Sequence, residues 1–322
     1  NTIYKGQDIC LGGFDNYEQI GQPWTFGFLP VLALGVVGKL FNITAINLDM
    51  LMTFLLPAIL FVLLYFFILR LSESFSLAVI GSISLILGYS IFTANVQIIK
   101  ETLMLSYSSH LWFLRPISPQ FNHILLILAL ILIYESLCSN KIFLSWVAGI
   151  LTGLLFYVFI YYWIFVYAGL SVLFFVFLAR REKLCRRKIF TIFFLSVLVS
   201  VPYWLNFWRL LHHPHYRDLE YFLNVINSRR PILPVSYILS SSLILFTYYK
   251  KEINLSFWYI FSFLVGGLIC LNQHIITGKV MFPGHWIGYS NKTFLIVSLF
   301  VSLNNIKEIK DNAKGHEEEL TK

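Results

Sequence analysis

The sequence predicts an all-α fold, a polytopic integral membrane helix bundle of about nine or ten spans with extracytoplasmic loops. Three observations predict it. Of 322 residues, 58% are hydrophobic and 12% are charged, and a mean hydropathy of +0.74 lies outside the range of a soluble globular chain. Uncharged apolar runs recur along the chain at close to the roughly 20 residues that a helix needs to cross a hydrocarbon core about 30 Å thick. The net charge of +8 belongs to a charge-poor chain whose densest basic run is one short loop between apolar segments. That pattern is a topology signal rather than the footprint of a nucleic-acid reader, and the composition as a whole excludes a cytosolic enzyme.

Taken in order, the runs lie near 50–69, 76–94, 121–137, 142–158, 160–179, 189–207, 232–249, 255–271 and 290–304, preceded by a shorter apolar stretch at 28–41. Asn291 and Lys292 cut into the last of them. No charge falls between Lys141 and Arg180, a stretch too long for one span, so a break is expected at Tyr161-Tyr162-Trp163; one tilted, unbroken helix is the alternative. Residues 1–304 form the membrane-embedded unit and 305–322 a charged cytoplasmic tail, whose run Glu317-Glu318-Glu319 suits a solvated terminus. No internal repeat marks a two-halved symmetric transporter.

Orientation rests on Arg180 to Lys188, six basic residues and one acidic in nine positions. The positive-inside rule puts this loop in the cytoplasm. Counting crossings from it assigns residues 1–27, 42–49, 95–120, 208–231 and 272–289 to the outer side. Seven of the eight histidines then fall at or beyond the outer surface. The tryptophans divide into an outer set (Trp24, Trp112, Trp163, Trp204, Trp208, Trp286) and an inner pair (Trp146, Trp258), as interface anchors do. Cys10, Cys138, Cys185 and Cys270 are scattered and form no C-x-x-C pair or zinc spacing.

The outer side also collects the chemistry-bearing residues, in four stretches. Asp8, Asp15 and Glu18 open the chain; they suit a general base or the oxygen ligands of a divalent cation, and equally a solvated loop. Lys100-Glu101 leads to Arg115, after which Pro116 and Pro119 hold off helix until Gln120. Arg115 at a membrane surface suits a phosphate or carboxylate, or simple snorkelling. Asn122 and His123, at the start of an apolar helix, are costly there unless they face the bundle interior. The third stretch, His212-His213-Pro214-His215 followed by Arg217 and Asp218, lacks the i, i+4 pair that binds metal on a helix, so loop histidines are the expectation. The fourth runs from Asn272-Gln273-His274 through Lys279 to His285-Trp286, where Lys279 and His285 suit phosphate neutralisation and His285 a proton shuttle, with a polar anchored loop as the plain alternative.

Arg115-Pro-Ile-Ser-Pro119-Gln120-Phe, the Tyr161-Tyr162-Trp163 break, and Asn272-Gln273-His274 through Thr277-Gly278-Lys279 to Pro283-Gly284-His285 resemble bacterial polytopic enzymes of the GT-C glycosyltransferase superfamily. The likeness covers residues 1–304 in hydropathy and only these motifs in identity. It implies a polyprenyl-phosphate-linked sugar as donor, a glycan, lipid or protein acceptor, and a working face outside a bacterial cytoplasmic membrane. It also implies that the first span, the start of the first outer loop and the family's key Asp precede Asn1. Asp15, Glu18 and Glu101 are then the carboxylates for the catalytic role. Arg115, Gln120, His123, Arg217, Asp218, Gln273, Lys279 and His285 are those for the lipid phosphate and sugar. An O-antigen polymerase-like protein or a transporter of lipid-linked saccharides is the alternative. The near-absence of ionisable groups at mid-span speaks against ion-coupled transport, whereas a polymerase also carries arginines on outer loops.

Overall fold

The computed structural model describes residues 24, 27–87, 120–213, 225–250, 254–281, 286, 291 and 293–304. Among them the chain is all-helical except for one short ladder. The helices are α1 (Leu29–Leu40), α2 (Ala45–Ser72), α3 (Phe75–Leu87), α4 (Asn122–Cys138), α5 (Ile142–Leu154), α6 (Ile160–Ala179), α7 (Lys183–Leu211), α8 (Val235–Lys250), α9 (Leu255–Asn272) and α10 (His274–Thr277), followed by α11 (Thr293–Asn304). Strands β1 (Val225–Asn227) and β2 (Lys279–Met281) pair antiparallel, with Ile226 opposite Val280.

Four helices are long and apolar enough to cross a membrane: α2, α6, α7 and the continuous stretch Leu255–Thr277. At 1.5 Å per residue the 28 residues of α2 reach about 42 Å, more than the hydrocarbon thickness. Each of the nine apolar runs read from the sequence overlaps a helix, the run at 76–94 over its described residues. Those at Phe75–Ile86, Asn122–Cys138, Ile142–Tyr157 and Thr293–Asn304 are apolar but shorter, so length and composition mark four candidate spans among the described residues rather than nine or ten.

Local chemistry sets the boundaries. Thr44 caps α2 by accepting from the Asn47 amide at 3.3 Å, and Asn254 caps α9 by accepting from the Phe257 amide at 2.9 Å. The break in the long uncharged stretch falls just before the expected place. After α5 a single tight turn, Leu155–Tyr157, leads to extended Phe159 (φ −161°, ψ 130°), and Tyr161, Tyr162 and Trp163 form the first turn of α6. Two contacts, one distant in sequence and one across the break itself, lie at this point. The Gly27 backbone presses on Val158, where a Cβ would lie 2.0 Å from the carbonyl oxygen. Phe156 stacks on Trp163 with centroids 4.2 Å apart. Close backbone approach also joins α6 to α9, since a Cβ on Gly266 would fall 2.5 Å from the Gly169 amide nitrogen; small residues at such crossings are how helices pack in lipid.

Contacts define two ends of the bundle. At the basic end, Arg70 makes a bidentate pair with Glu135 (Nε–Oε1 2.5 Å, Nη2–Oε2 3.1 Å), Asn304 donates to Ser72 O at 2.7 Å, and the Arg180 guanidinium lies over Trp258. Lys188, buried, donates to the carbonyls of Leu137 and Ser139 at the end of α4. The opposite, histidine end gathers the starts of α4, α6 and α11, the end of α9 and the β1–β2 ladder. Asn206, near the end of α7, ties Trp24 there by two hydrogen bonds, of 3.1 and 2.9 Å. The described inner and outer tryptophans divide between these ends as the sequence predicts.

Candidate functional site

The site is built on three helix starts. The backbone turns helical at Gln120, directly after Pro119, and this puts Gln120, Asn122 and His123 in the bundle interior, all nearly inaccessible. A polar trio at the head of an apolar helix faces inward because lipid offers it no partner. His123 Nδ1 lies 2.6 Å from the Tyr162 hydroxyl and Nε2 lies 3.2 Å from Thr293 Oγ1. One residue from each of α4, α6 and α11 thus joins a single buried chain. A neutral imidazole donates from one nitrogen and accepts at the other, and either hydroxyl can take the matching part. The chain can therefore carry a proton in both directions.

Further polar groups lie beside it. Asn291 donates through Nδ2 to Gly267 O at 3.2 Å. A side chain at Gly267 would collide with the Tyr237 hydroxyl (2.5 Å) and Asn291 Oδ1 (2.7 Å), so glycine is what lets both reach that point. The Trp286 ring meets Tyr161 edge to face at 4.6 Å. Asn122 Oδ1, Asn291 Oδ1 and Trp286 Nε1 are buried here with no hydrogen-bond partner, as are Trp163 Nε1 and His274 Nδ1. Buried polar groups are paired in the great majority of cases, so this end keeps both acceptors and donors unspent. Helix α6 has no side-chain cap at its start, which leaves the positive end of its helix dipole turned toward the same region.

The remaining described candidates take up local structure. Gln273 accepts from Thr277 Oγ1 at 2.9 Å and donates to Lys279 O at 3.2 Å. His274, buried, bonds Arg230 O through Nε2 at 2.7 Å, and Asn272 ties Ile232 through both its amide and its carbonyl. These bonds, with Gly278 in the left-handed region (φ 76°), hold the β1–β2 ladder against the end of α9 and place exposed Lys279 at the histidine end. Asp15, Glu18, Glu101, Arg115, Arg217, Asp218 and His285 lie outside the described residues. Of the described residues that flank them, Gln120, the end of α7, β1, β2 and Trp286 lie toward the histidine end, with Trp24 tied to the last turns of α7; α3 as described packs Gly81 against Ile68 and Phe300, nearer the basic end. Among the described residues no cluster of His, Cys, Asp and Glu is arranged to hold a metal ion.

Sequence reasoning missed Tyr162, which reads as an interface anchor, and Thr293. The signal for Thr293 was present. Asn291-Lys292-Thr293 heads an apolar run as Gln120-Phe121-Asn122-His123 does, on the same predicted side. No protein-family model matches the chain, nor does any curated protein or solved structure.

Proposed function

We propose that the chain is a polytopic membrane glycosyltransferase of the GT-C type, with nine or ten spans, its basic end in the cytoplasm and its histidine end at the outer face of a bacterial cytoplasmic membrane. It moves a sugar from a polyprenyl-phosphate donor to a glycan, lipid or protein acceptor. One observation supports the reading: a buried His123–Tyr162–Thr293 chain joins the starts of three helices at the end of the bundle toward which Gln120, the end of α7, the β1–β2 ladder and Trp286 lead.

In the reaction a carboxylate, Asp15, Glu18 or Glu101, takes the proton of the acceptor hydroxyl, or the acidic opening stretch holds a divalent cation that lowers the pKa of that hydroxyl. The acceptor oxygen bonds the sugar C1 as the C1–O bond to the lipid phosphate breaks, and the electron pair leaves on the phosphate. Arg115, Lys279 and His285, with Arg217 behind them, stabilise that charge. Gln120 and Asp218 serve orientation and sugar hydroxyls, and Gln273, bonded to Thr277 and Lys279, positions Lys279. His123, fixed between two hydroxyls in the interior, joins the helix starts beneath the site.

The test is transfer by the full chain in proteoliposomes supplied with a panel of labelled polyprenyl-phosphate hexoses. Arg115→Ala and His285→Ala should each lower transfer by about a hundredfold, the usual effect of deleting one charge-stabilising donor, with membrane insertion unchanged. Wild-type rates in both variants would overturn the site assignment, and no transfer from any donor by the unaltered chain would overturn the reading. A reporter after Lys188 should report the cytoplasm, and one within 208–231 the outside.

A further inference from the structure

We propose that the connection between α6 and α7, with the first turns of α7, binds the phosphate headgroup of an anionic phospholipid at the basic end. The loop that fixes orientation contains Arg180, Arg181, Lys183, Arg186, Arg187 and Lys188, and the structure sorts these six cations into two sets. Two are committed to protein. Arg180 donates to Glu182 at 2.7 Å and lies over Trp258 at 5.4 Å, while Lys188 is sealed against the carbonyls of Leu137 and Ser139. The other four meet no carboxylate among the described residues. Arg181, Lys183 and Arg187 are exposed, and Arg186 is half-buried, with a sealed Nε that has no hydrogen-bond partner.

Their position makes an unanswered charge unfavourable. Lys183, Arg186 and Arg187 occupy the opening turns of a 29-residue helix that has no acidic residue in its first turn and no side-chain cap from Glu182. Cations there face free backbone N–H groups and the positive end of the helix dipole, the reverse of the arrangement that stabilises helices. A phosphate answers the side chains and the amides at once.

The apolar surroundings identify its source. Phe175 (65% exposed) and Leu178 (43%) precede the cations, Leu184 (50%) lies between them, and Phe190 (64%) follows. Side chains of this kind need hydrocarbon, so the cations sit at the level where acyl chains meet headgroups. An acidic protein or a nucleic acid would leave that collar in water. A phosphodiester with net negative charge, as in phosphatidylglycerol, fits; phosphatidylcholine carries its own ammonium beside the phosphate and does not. The glycosyltransferase reading and this site stand or fall separately, because the two lie at opposite ends.

The experiment reconstitutes the full chain in phosphatidylcholine bilayers with trace spin-labelled lipid and measures the motionally restricted fraction of each label. Labelled phosphatidylglycerol should be selected over labelled phosphatidylcholine by about fivefold or more, since each surface cation contributes on the order of a factor of five. Arg181→Gln, Lys183→Gln and Arg187→Gln together should bring the ratio to rough parity, whereas Lys183→Arg with Arg187→Lys should preserve it. Arg187→Gln alone, a single exposed change, should lower it measurably and covers the case in which the triple variant does not insert. Equal retention of both labels by the wild type, or undiminished selection in the glutamine variants, overturns the proposal. Displacement of labelled phosphatidylglycerol by millimolar inorganic phosphate as readily as by unlabelled phosphatidylglycerol overturns the lipid as its source.

Discussion

At the basic end Arg70 is forked onto Glu135 and Lys188 is buried against two carbonyls; at the histidine end the buried polar groups are imidazole, hydroxyl, amide and indole, and Asn122, Asn291 and Trp286 each keep an unspent polar atom. At the basic end Lys188 satisfies the carbonyls that end a helix, while Arg70 and Glu135 pair closer to the surface. The histidine end spends its polar groups only in part. The basic end is not wholly satisfied either, since Arg186 Nε and Trp258 Nε1 also lack partners; what distinguishes the histidine end is that its unspent amide and indole atoms gather beside one buried chain, where they are costly unless something repays them.

Lys188→Met breaks the comparison at its most committed point. It keeps the packed stem and removes the ammonium, leaving the carbonyls of Leu137 and Ser139 short of a donor in the interior. An expected loss of about 2–3 kcal/mol should appear in reversible unfolding of the chain in mixed micelles. Transfer per folded molecule should not change, because the lesion lies at the end away from the site.

Tyr162→Phe makes the matching change at the histidine end. It strips the hydroxyl 2.6 Å from His123 Nδ1, at a cost of about 1–2 kcal/mol for a buried neutral hydrogen bond. Thr293→Val should cost less, since its contact is longer at 3.2 Å. Combined with His123→Leu, neither should cost as much as it does alone, and this non-additivity in a double-mutant cycle is what marks the three as one chain. Additive losses would show three separate contacts. Unlike Lys188→Met, Tyr162→Phe should also lower transfer per folded molecule.

What the sequence made legible divides along the same line. The apolar stretches of the helices are legible, because charges, prolines or polar residues interrupt them, but helix continues past those marks: α7 begins at Lys183, six residues before its apolar run, and α2 at Ala45, five before its own. The polar head of α4 is legible for the same reason, as Gln120, Asn122 and His123 had to face inward. Tyr162 is not, since a tyrosine at a membrane boundary is equally an anchor, and only the fold reveals that its hydroxyl meets His123. The position of the α5–α6 break is hidden too, because Gly27, which packs against it, lies more than a hundred residues away. Lys188 counts as one more topology cation until the structure shows it buried: charge counting carries no information on exposure.

Arg70→Gln is a milder probe of the basic end. The pair is bidentate, but its side chains are 54% and 28% exposed, so solvent offsets much of its energy. A loss below about 1 kcal/mol is expected. A larger value, in the same unfolding measurement, would mean that the headgroup region screens this end less than water does.

The smallest effect separates backbone from charge at the basic end. Glu73 closes α2 in the left-handed region (φ 56°), its amide bonded to Leu69 O at 2.8 Å, and Arg181 follows α6 in the same region (φ 59°). Glycine is favoured at such positions because it has no Cβ to strain. Glu73→Gly should therefore raise stability by a few tenths of a kcal/mol, up to about 1, with no change in lipid selection. Arg181→Gly relieves the same strain and should give a similar gain in unfolding, but it also removes one of the uncommitted cations. If the proposed headgroup site is real, the two variants match in stability in phosphatidylcholine and diverge in phosphatidylglycerol, where only Arg181→Gly loses part of the stabilisation that the anionic lipid confers on the wild type.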